Sequence, residues 1–262
     1  MISLSRTVKD IYQYRALVWA LVQRHLATRY RGSVLGFLWS ILNPLFLMLV
    51  YLLVFRYYMR AANVEHYPIF LFCGLLPWAW TSSALMEGTT SIVSSGHLIT
   101  KSMFPAELLP VVSVITTMVN FILSLPILFI FMICSGVGAH LTLLALPFLV
   151  VVQFIFLVGA GLALGALNVL FRDVQHILGN LLSLLFFLCP IVYPSTVVPE
   201  KFQFTMVLNP FALLTQTYHH LILDGALPSL SEVVYLVGWS LFVAILGNII
   251  FSRYRESFAE LL

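Results

Sequence analysis

Apolar and polar positions along this chain segregate into long blocks instead of alternating residue by residue. From Leu108 to Phe171 there is no Lys, Arg, Asp or Glu. The short break Ser135-Gly136-Val137-Gly138-Ala139-His140 divides this stretch into two apolar blocks, each longer than the roughly 20 residues that a helix needs to cross a bilayer. Read the same way, the whole chain offers six transmembrane helices, at about 34–55, 68–86, 108–134, 141–171, 174–193 and 230–251. The fifth follows the fourth after only Arg172 and Asp173, so the boundaries are soft. The blocks predict an all-α, polytopic integral membrane protein, with an amphipathic cytoplasmic interface segment over 1–33 and a six-span transmembrane domain over 34–262.

Three segments between or before the blocks have their own character. Residues 11–30 place Ile11, Val18, Leu21, Val22 and Leu26 near one helical face, with Gln13, Ala20 and Arg24 largely opposite. Arg15 and Arg29 interrupt the stripe. An interfacial helix is predicted there, with Tyr12, Tyr14 and Trp19 as headgroup-level anchors; the alternative is an ordinary cytosolic tail. Glu87 to Pro105 is polar and rich in Ser and Thr, a natural docking surface. Pro194 to Pro228 is interrupted by Pro199 and Pro210, yet Phe202, Phe204, Met206, Phe211 and Leu213 make it too apolar for a free loop. Short re-entrant helices before the last span are expected, with backbone protected by protein or lining a cavity. A lid without further function is the competing reading.

Charge sets the orientation. With both termini on the cytoplasmic side, that side receives Arg6, Lys9, Arg15, Arg24, Arg29, Arg31, Lys101, Arg172, Arg253 and Arg255, against Arg56, Arg60 and Lys201 outside. The positive-inside bias therefore puts both termini in the cytoplasm. Arg56 and Arg60 run against it locally, either snorkelling at the outer end of span one or facing a translocated anion.

Composition narrows the function. The chain is 61% hydrophobic and 9% charged, which leaves too little polar surface for a water-exposed globule and makes nucleic acid an improbable partner. Cys73, Cys134 and Cys189 lie in or beside apolar runs without metal-ligand spacing. The basic N-terminal region lacks a signal-peptide pattern, so the first span is expected to be retained. No Gly-rich nucleotide loop, His-Glu-x-x-His or Gly-x-Ser-x-Gly motif is present. No cofactor or metal is expected in this chain. The acids gather at span ends and in loops, which argues against an ion-coupled carrier. Energy must then come from a partner, or the protein is a passive pore. A membrane-embedded transferase would need acids or histidines converging at one face, for which His97, Glu107, Asp173 and His176 are nominal candidates.

The motifs YRGSVLGFLWSILNPL at Tyr30 to Leu45, GLLPWAW at Gly74 to Trp80, FRD at Phe171 to Asp173, CPIVYP at Cys189 to Pro194 and LNPF at Leu208 to Phe211 together resemble the permease subunit of ABC-type polysaccharide exporters. That bacterial family moves lipid-linked O-antigen, capsular polysaccharide or teichoic acid across the cytoplasmic (inner) membrane. The resemblance covers essentially the whole chain and is not specific for a sugar. It implies a homodimer of six-span permeases with two copies of a separate cytoplasmic ATP-binding subunit, where ATP and magnesium act. It places the helix before Arg31 in the substrate-receiving region, couples the helix around Thr89 to His97 to the ATPase, and assigns outer gate helices to Pro194–Pro228. Cys189 departs from the small polar residue common in relatives, a change expected to be structural. An ABC-type exporter permease for teichoic acid, a smaller lipid or a drug-like molecule is the alternative.

Within that reading, a hydrated polymer is best held weakly at many places, and aromatic rings can stack on the apolar faces of sugars. Trp39, Phe46, Tyr51 and Phe55 in span one and Phe186, Phe187 and Tyr193 near span five are the candidate channel-lining residues, with Tyr51 and Phe55 on one helical face. Ordinary core or lipid-facing packing is the alternative, and Trp78 and Trp80 fit an interfacial belt. Arg31, with Arg24, Arg29 and the neighbouring Gly32, is the candidate receiver of a lipid-linked phosphate, since guanidinium forks match phosphate oxygens; binding anionic lipid and enforcing topology is the alternative. Ile92, His97, Leu98 and Lys101 are the candidate contacts to the ATPase.

Overall fold

The computed structural model describes Lys9 and residues 12–58, 64, 66–101, 104–138 and 140–262. Arg6, Ile11 and Arg60 lie outside these. The described residues form an all-helical fold in which α1 (Arg15–Tyr30) precedes α2 (Trp39–Tyr51), α3 (Tyr67–Ser94), α4 (Gly96–Lys101), α5 (Leu108–Cys134), α6 (Leu146–Leu170), α7 (Val174–Leu188), α8 (Gln203–Leu208), α9 (Pro210–His219), α10 (Leu230–Tyr254) and α11 (Phe258–Leu261). Among the described residues, four segments are long and apolar enough to cross a membrane: Tyr67–Ser94, Leu108–Cys134, Leu141–Leu170 and Leu230–Ser257. The first and fifth apolar blocks appear instead as shorter helices, Leu42–Tyr58 and Val174–Leu188.

The shortening has local causes. Gly32 and Gly36 adopt φ of 80° and 48°, a left-handed geometry that side-chain-bearing residues resist, and so turn the chain between α1 and α2. Beyond Tyr51 the helix widens into a π-helical stretch, Leu52–Tyr58. At the other block, Pro190 disfavours helical geometry in the residue before it, and Cys189 is extended with ψ 146°. Helix starts elsewhere follow capping chemistry. Ser229 and Glu232 form a reciprocal capping box at α10, and the Asn209 carboxamide oxygen accepts from the Phe211 N–H at 3.0 Å to open α9 at Pro210.

The core is built around α3. Within its most apolar window 72% of residues are buried by protein, against 22% for α10, so α3 is the central helix and α10 a peripheral one. Trp78 and Trp80, near the middle of α3, are buried and belong to this core, which corrects their reading as belt residues. Small residues permit the closest approaches. A Cβ at Gly159 or Gly247 would overlap the facing backbone of α10 or α6, and Gly88 and Gly165 bring α3 and α6 together similarly. Lipid tails are as apolar as the helices, so backbone proximity of this kind is what drives helix association in a bilayer.

The amphipathic face of α1 finds a protein partner. Val18, Leu21 and Val22 are buried against Leu108 and Val112 at the start of α5, so this stripe is covered by protein and not laid wholly into lipid. Tyr12 and Trp19 stay exposed on the other side.

Candidate functional site

At the end of the bundle where α1 docks, the half-buried guanidinium of Arg29 pairs with the Glu87 carboxylate of α3. Arg24, Arg29 and Glu87 line a cavity of about 410 Å³ together with His97 and Leu98 of α4. The fold thus brings two of the nominated phosphate receivers beside two of the nominated coupling residues. Arg31 sits on the exposed turn after α1 and is not among the residues lining this cavity, whereas Arg24 and Arg29 are, with Arg29 paired to the Glu87 carboxylate. His25, on the same cavity wall, has its pKa lowered from 6.5, first by burial and then by the neighbouring charges of Arg24 and Arg29.

The coupling set divides. His97 is exposed and Leu98 half-buried, while Lys101 ends α4. Ile92 is corrected: α3 continues to Ser94, and its Ile92 side chain is fully buried in a cluster with Leu162, Ala166, Val169 and Phe251. A core position leaves it no surface for a partner protein.

On another face, five of the seven candidate aromatics gather between α2 and the end of α7. Tyr51 stacks on Phe186 with ring centroids 5.4 Å apart and lies 6.1 Å from Phe55. Phe186 meets Phe187 edge to face at 5.1 Å, and the Tyr193 hydroxyl donates to the Phe187 carbonyl at 2.7 Å. Tyr51, Trp78, Phe186 and Phe187 wall a groove of about 450 Å³ between α2, α3 and α7. Phe187 is exposed, whereas Phe186 is 7% exposed and wedged among the other rings, which makes it the support of the wall more than its surface. Trp39 donates through Nε1 to Ser33 Oγ at 3.1 Å, and Phe46 is exposed outside the ring cluster.

The short helices between α7 and α10 pack on α3. Tyr218 and His219 of α9 are buried, and the His219 ring stacks on Phe70 at 4.1 Å with Nε2 donating to the Phe70 carbonyl at 2.9 Å. Gly74 lies against that contact, and a Cβ there would come within 3.3 Å of the imidazole and 3.2 Å of the Ile191 Cα. Asn209 Nδ2 lies 3.6 Å from Cys189 Sγ. Arg56 donates to the Val64 carbonyl at 3.2 Å.

Sequence pattern alone passes over the polar centre of the bundle. Gln153, in the middle of α6, donates to the Pro77 carbonyl at 3.0 Å and Thr81 Oγ1 at 2.8 Å, and accepts from the Tyr218 hydroxyl at 2.8 Å. Its signal was available: a carboxamide in an uncharged apolar block must find partners inside protein.

The residues nominated for an embedded transferase do not form a converging set. Glu107 is buried and its Oε1 accepts from Arg255 Nη1 at 3.1 Å, joining the starts and ends of α5 and α10. Among the described residues no group of three or more His, Cys, Asp or Glu is placed to hold a metal.

Comparison with known proteins supplies the family. The model of the family described as ABC-2 type transporter matches residues 16–223. Over 257 residues, 97% of this chain and 98% of the relative, the sequence is 41% identical to the O-antigen export system permease protein RfbA of Myxococcus xanthus. It is 31% identical over 248 residues to the protein of the same name from Klebsiella pneumoniae, covering 94% and 95% of the two chains. Identity to the polysialic acid transport protein KpsM of Escherichia coli is 22% over 245 residues, covering 93% and 95%. With most of its length matched and these relatives covered nearly end to end, the chain belongs to the ABC-2 type transporter family.

Proposed function

We propose that this chain is the transmembrane subunit of an ATP-driven exporter that moves lipid-linked, O-antigen-like polysaccharide across the bacterial inner membrane. The observation that carries this is the 41% identity over 97% of the chain to an O-antigen export permease. The gathering of Tyr51, Phe186 and Phe187 on one groove supports it, since such rings suit a sugar chain sliding through many weak contacts. Two copies of the chain enclose the path, and two copies of a separate ATP-binding subunit supply ATP hydrolysis with magnesium. All six apolar blocks span, the two shorter ones completed by the π-helical turn after α2 and the chain after α7. Both termini lie in the cytoplasm.

In this reading a lipid-linked phosphate arrives at Arg24, Arg29 and Arg31 beside the Gly32 turn. The ATPase docks on α4 through His97, Leu98 and Lys101. Because His97 and Leu98 wall the same cavity as Arg24 and Arg29, a nucleotide-driven movement of α4 acts directly on the receiving end. The helices from Gln203 to His219 form the outer gate. Reconstituting the chain with its ATPase and following labelled glycan across vesicle membranes tests the proposal. ATP-dependent movement is expected; movement unchanged when the ATPase is left out points to a passive pore and overturns it.

A further inference from the structure

Between α2, α3 and α5 lies an open cleft of about 440 Å³, within the roughly 300–1,000 Å³ of small-molecule sites. Its polar walls sit near the middle of two long membrane-crossing helices: Ser83 beside Trp80 on α3, and Thr117 and Asn120 on α5. Polar groups at that depth are costly unless they meet partners or line a pathway. Trp80 and Phe121 stack on each other behind the cleft, with centroids 5.0 Å apart and planes 17° apart, and both rings are buried. The Trp80 indole is buried and its Nε1–H has no acceptor among the described residues, a donor that an incoming oxygen would satisfy. Arg29 is the charged residue of the lining, and its guanidinium is already held by Glu87.

From this lining we infer that the cleft binds one neutral, hydroxyl-bearing ring: the sugar nearest the lipid phosphate of the exported substrate. Carboxamide and hydroxyl groups give and accept hydrogen bonds without charge, and the exposed ring of Trp39 on the same lining offers an aromatic face for the apolar side of a pyranose. A phosphate at Arg29 then leaves the adjoining sugar inside the cleft, which shares Ala79 and Ser83 with the groove where Tyr51 and Phe187 meet the rest of the chain. The inference rests on the export reading and adds a subsite that recognises the first sugar and not the polymer.

The test uses the purified permease–ATPase complex and two probes: a short-chain polyprenyl diphosphate carrying one hexose, and the same diphosphate without sugar. The wild type is expected to bind the sugar-bearing probe about tenfold more tightly, the equivalent of one or two buried hydrogen bonds. Asn120→Leu and, from the α2 side of the lining, Asn43→Leu should each remove most of that difference and leave the sugar-free probe unaffected, at unchanged thermal midpoint. Equal binding of both probes by the wild type, or equal weakening of both by the variants, overturns the subsite. Were neither probe to bind while vesicles still exported glycan with ATP, the subsite would fall and the export reading stand. Absence of ATP-dependent glycan movement would remove the export reading, whereas sugar-dependent binding lost in Asn120→Leu would still establish the cleft as a sugar site.

Discussion

The hydroxyl of Tyr218 donates to Oε1 of Gln153 at 2.8 Å, joining α9 to the centre of α6. Gln153 Nε2 reaches the Pro77 carbonyl and Thr81 Oγ1 of α3, so one carboxamide ties three helices. The carbonyl can only accept, which fixes the amide orientation and leaves Oε1 for the phenol. Pro77 bends the economy of α3 locally, because a proline lacks the N–H that the carbonyl four residues earlier would receive.

Removing the carboxamide should therefore cost more than removing the phenol. Gln153→Leu strands buried groups on two helices and is expected to lower stability by about 1–3 kcal/mol, against about 0.5–1.5 for Tyr218→Phe. A double-mutant cycle by reversible unfolding in mixed micelles should give a coupling of roughly 0.6–1.7 kcal/mol, the range for hydrogen bonds between membrane helices. Additive single effects would mean that the bond contributes nothing between the helices.

Close packing of α6 on α10 gives a sharper contrast. Gly159 and Gly247 leave no room for a Cβ, whereas a Cβ at Gly238 meets nothing within 4 Å. Gly159→Ala and Gly247→Ala should each destabilise by about 1–3 kcal/mol through overpacking, while Gly238→Ala leaves the thermal midpoint unchanged or slightly raised, since alanine favours helix. A midpoint that fell equally for all three would show that the cost does not come from the α6–α10 interface.

Much of this architecture was legible from the sequence, and the parts that were not share a physical cause. Apolar blocks mark where helices run, because bilayer thickness sets length regardless of neighbours. They do not mark which side of a helix meets protein. Ile92 therefore read as part of a polar docking segment, when the continuation of α3 to Ser94 turns it into the core. The ring cluster of Tyr51, Phe186 and Phe187 was legible as a set of residues but not as a groove, since its members come from helices that sequence spacing cannot bring into register. Arg29 and Arg31 look equivalent along the chain; the carboxylate that distinguishes them, Glu87, is 58 positions away.

The Arg29–Glu87 pair has side chains 38% and 30% exposed, so water screens it and its contribution to stability is at most about 1 kcal/mol. Its effect should appear in binding. Glu87→Gln frees the guanidinium from a competing anion and is expected to raise affinity for a short-chain polyprenyl diphosphate several-fold, while Arg29→Lys, which loses the planar fork, lowers it. Titration calorimetry with both variants at equal ionic strength checks this. An unchanged affinity in both would move the phosphate site elsewhere, Arg31 being the first alternative.

His25 supplies a pH dependence with a definite sign. Its pKa in the folded protein lies below the ordinary 6.5, so below that value the unfolded chain binds more protons and stability falls as pH falls. The loss begins as the pH drops through about 6.5 and is complete below the lowered folded value. At pH 7 and above the group contributes no slope. Thermal midpoints measured from pH 7.5 to 5 should fall more steeply for the wild type than for His25→Asn, and identical profiles would show that docking of α1 does not sense this imidazole.

For coupling to the ATPase, cysteines at His97 and Leu98 are expected to crosslink to the partner subunit in at least one nucleotide state, because both residues wall the cavity beneath α1. A cysteine at Ile92 should not crosslink, since that position is fully buried. Crosslinks from 92 without any from 97 or 98 would reverse the assignment of the docking surface.

The aromatic groove separates surface from support. Tyr51 and Phe187 present partly or largely exposed rings, while Phe186 is 7% exposed and packs against Tyr51, Trp78 and Phe187. Truncating a buried phenylalanine typically costs about 3–5 kcal/mol, so Phe186→Ala should reduce the amount of folded protein in the membrane. Tyr51→Ala and Phe187→Ala remove stacking surface from a track with many weak contacts, so each should slow export per folded molecule several-fold without changing abundance, and together they should act more than either alone. Export of labelled glycan in vesicles, normalised to inserted permease, distinguishes the two kinds of effect. If the Tyr51 and Phe187 variants exported at the wild-type rate per molecule, the groove would be packing in the bundle and the sugar chain would have to run along another face of α2.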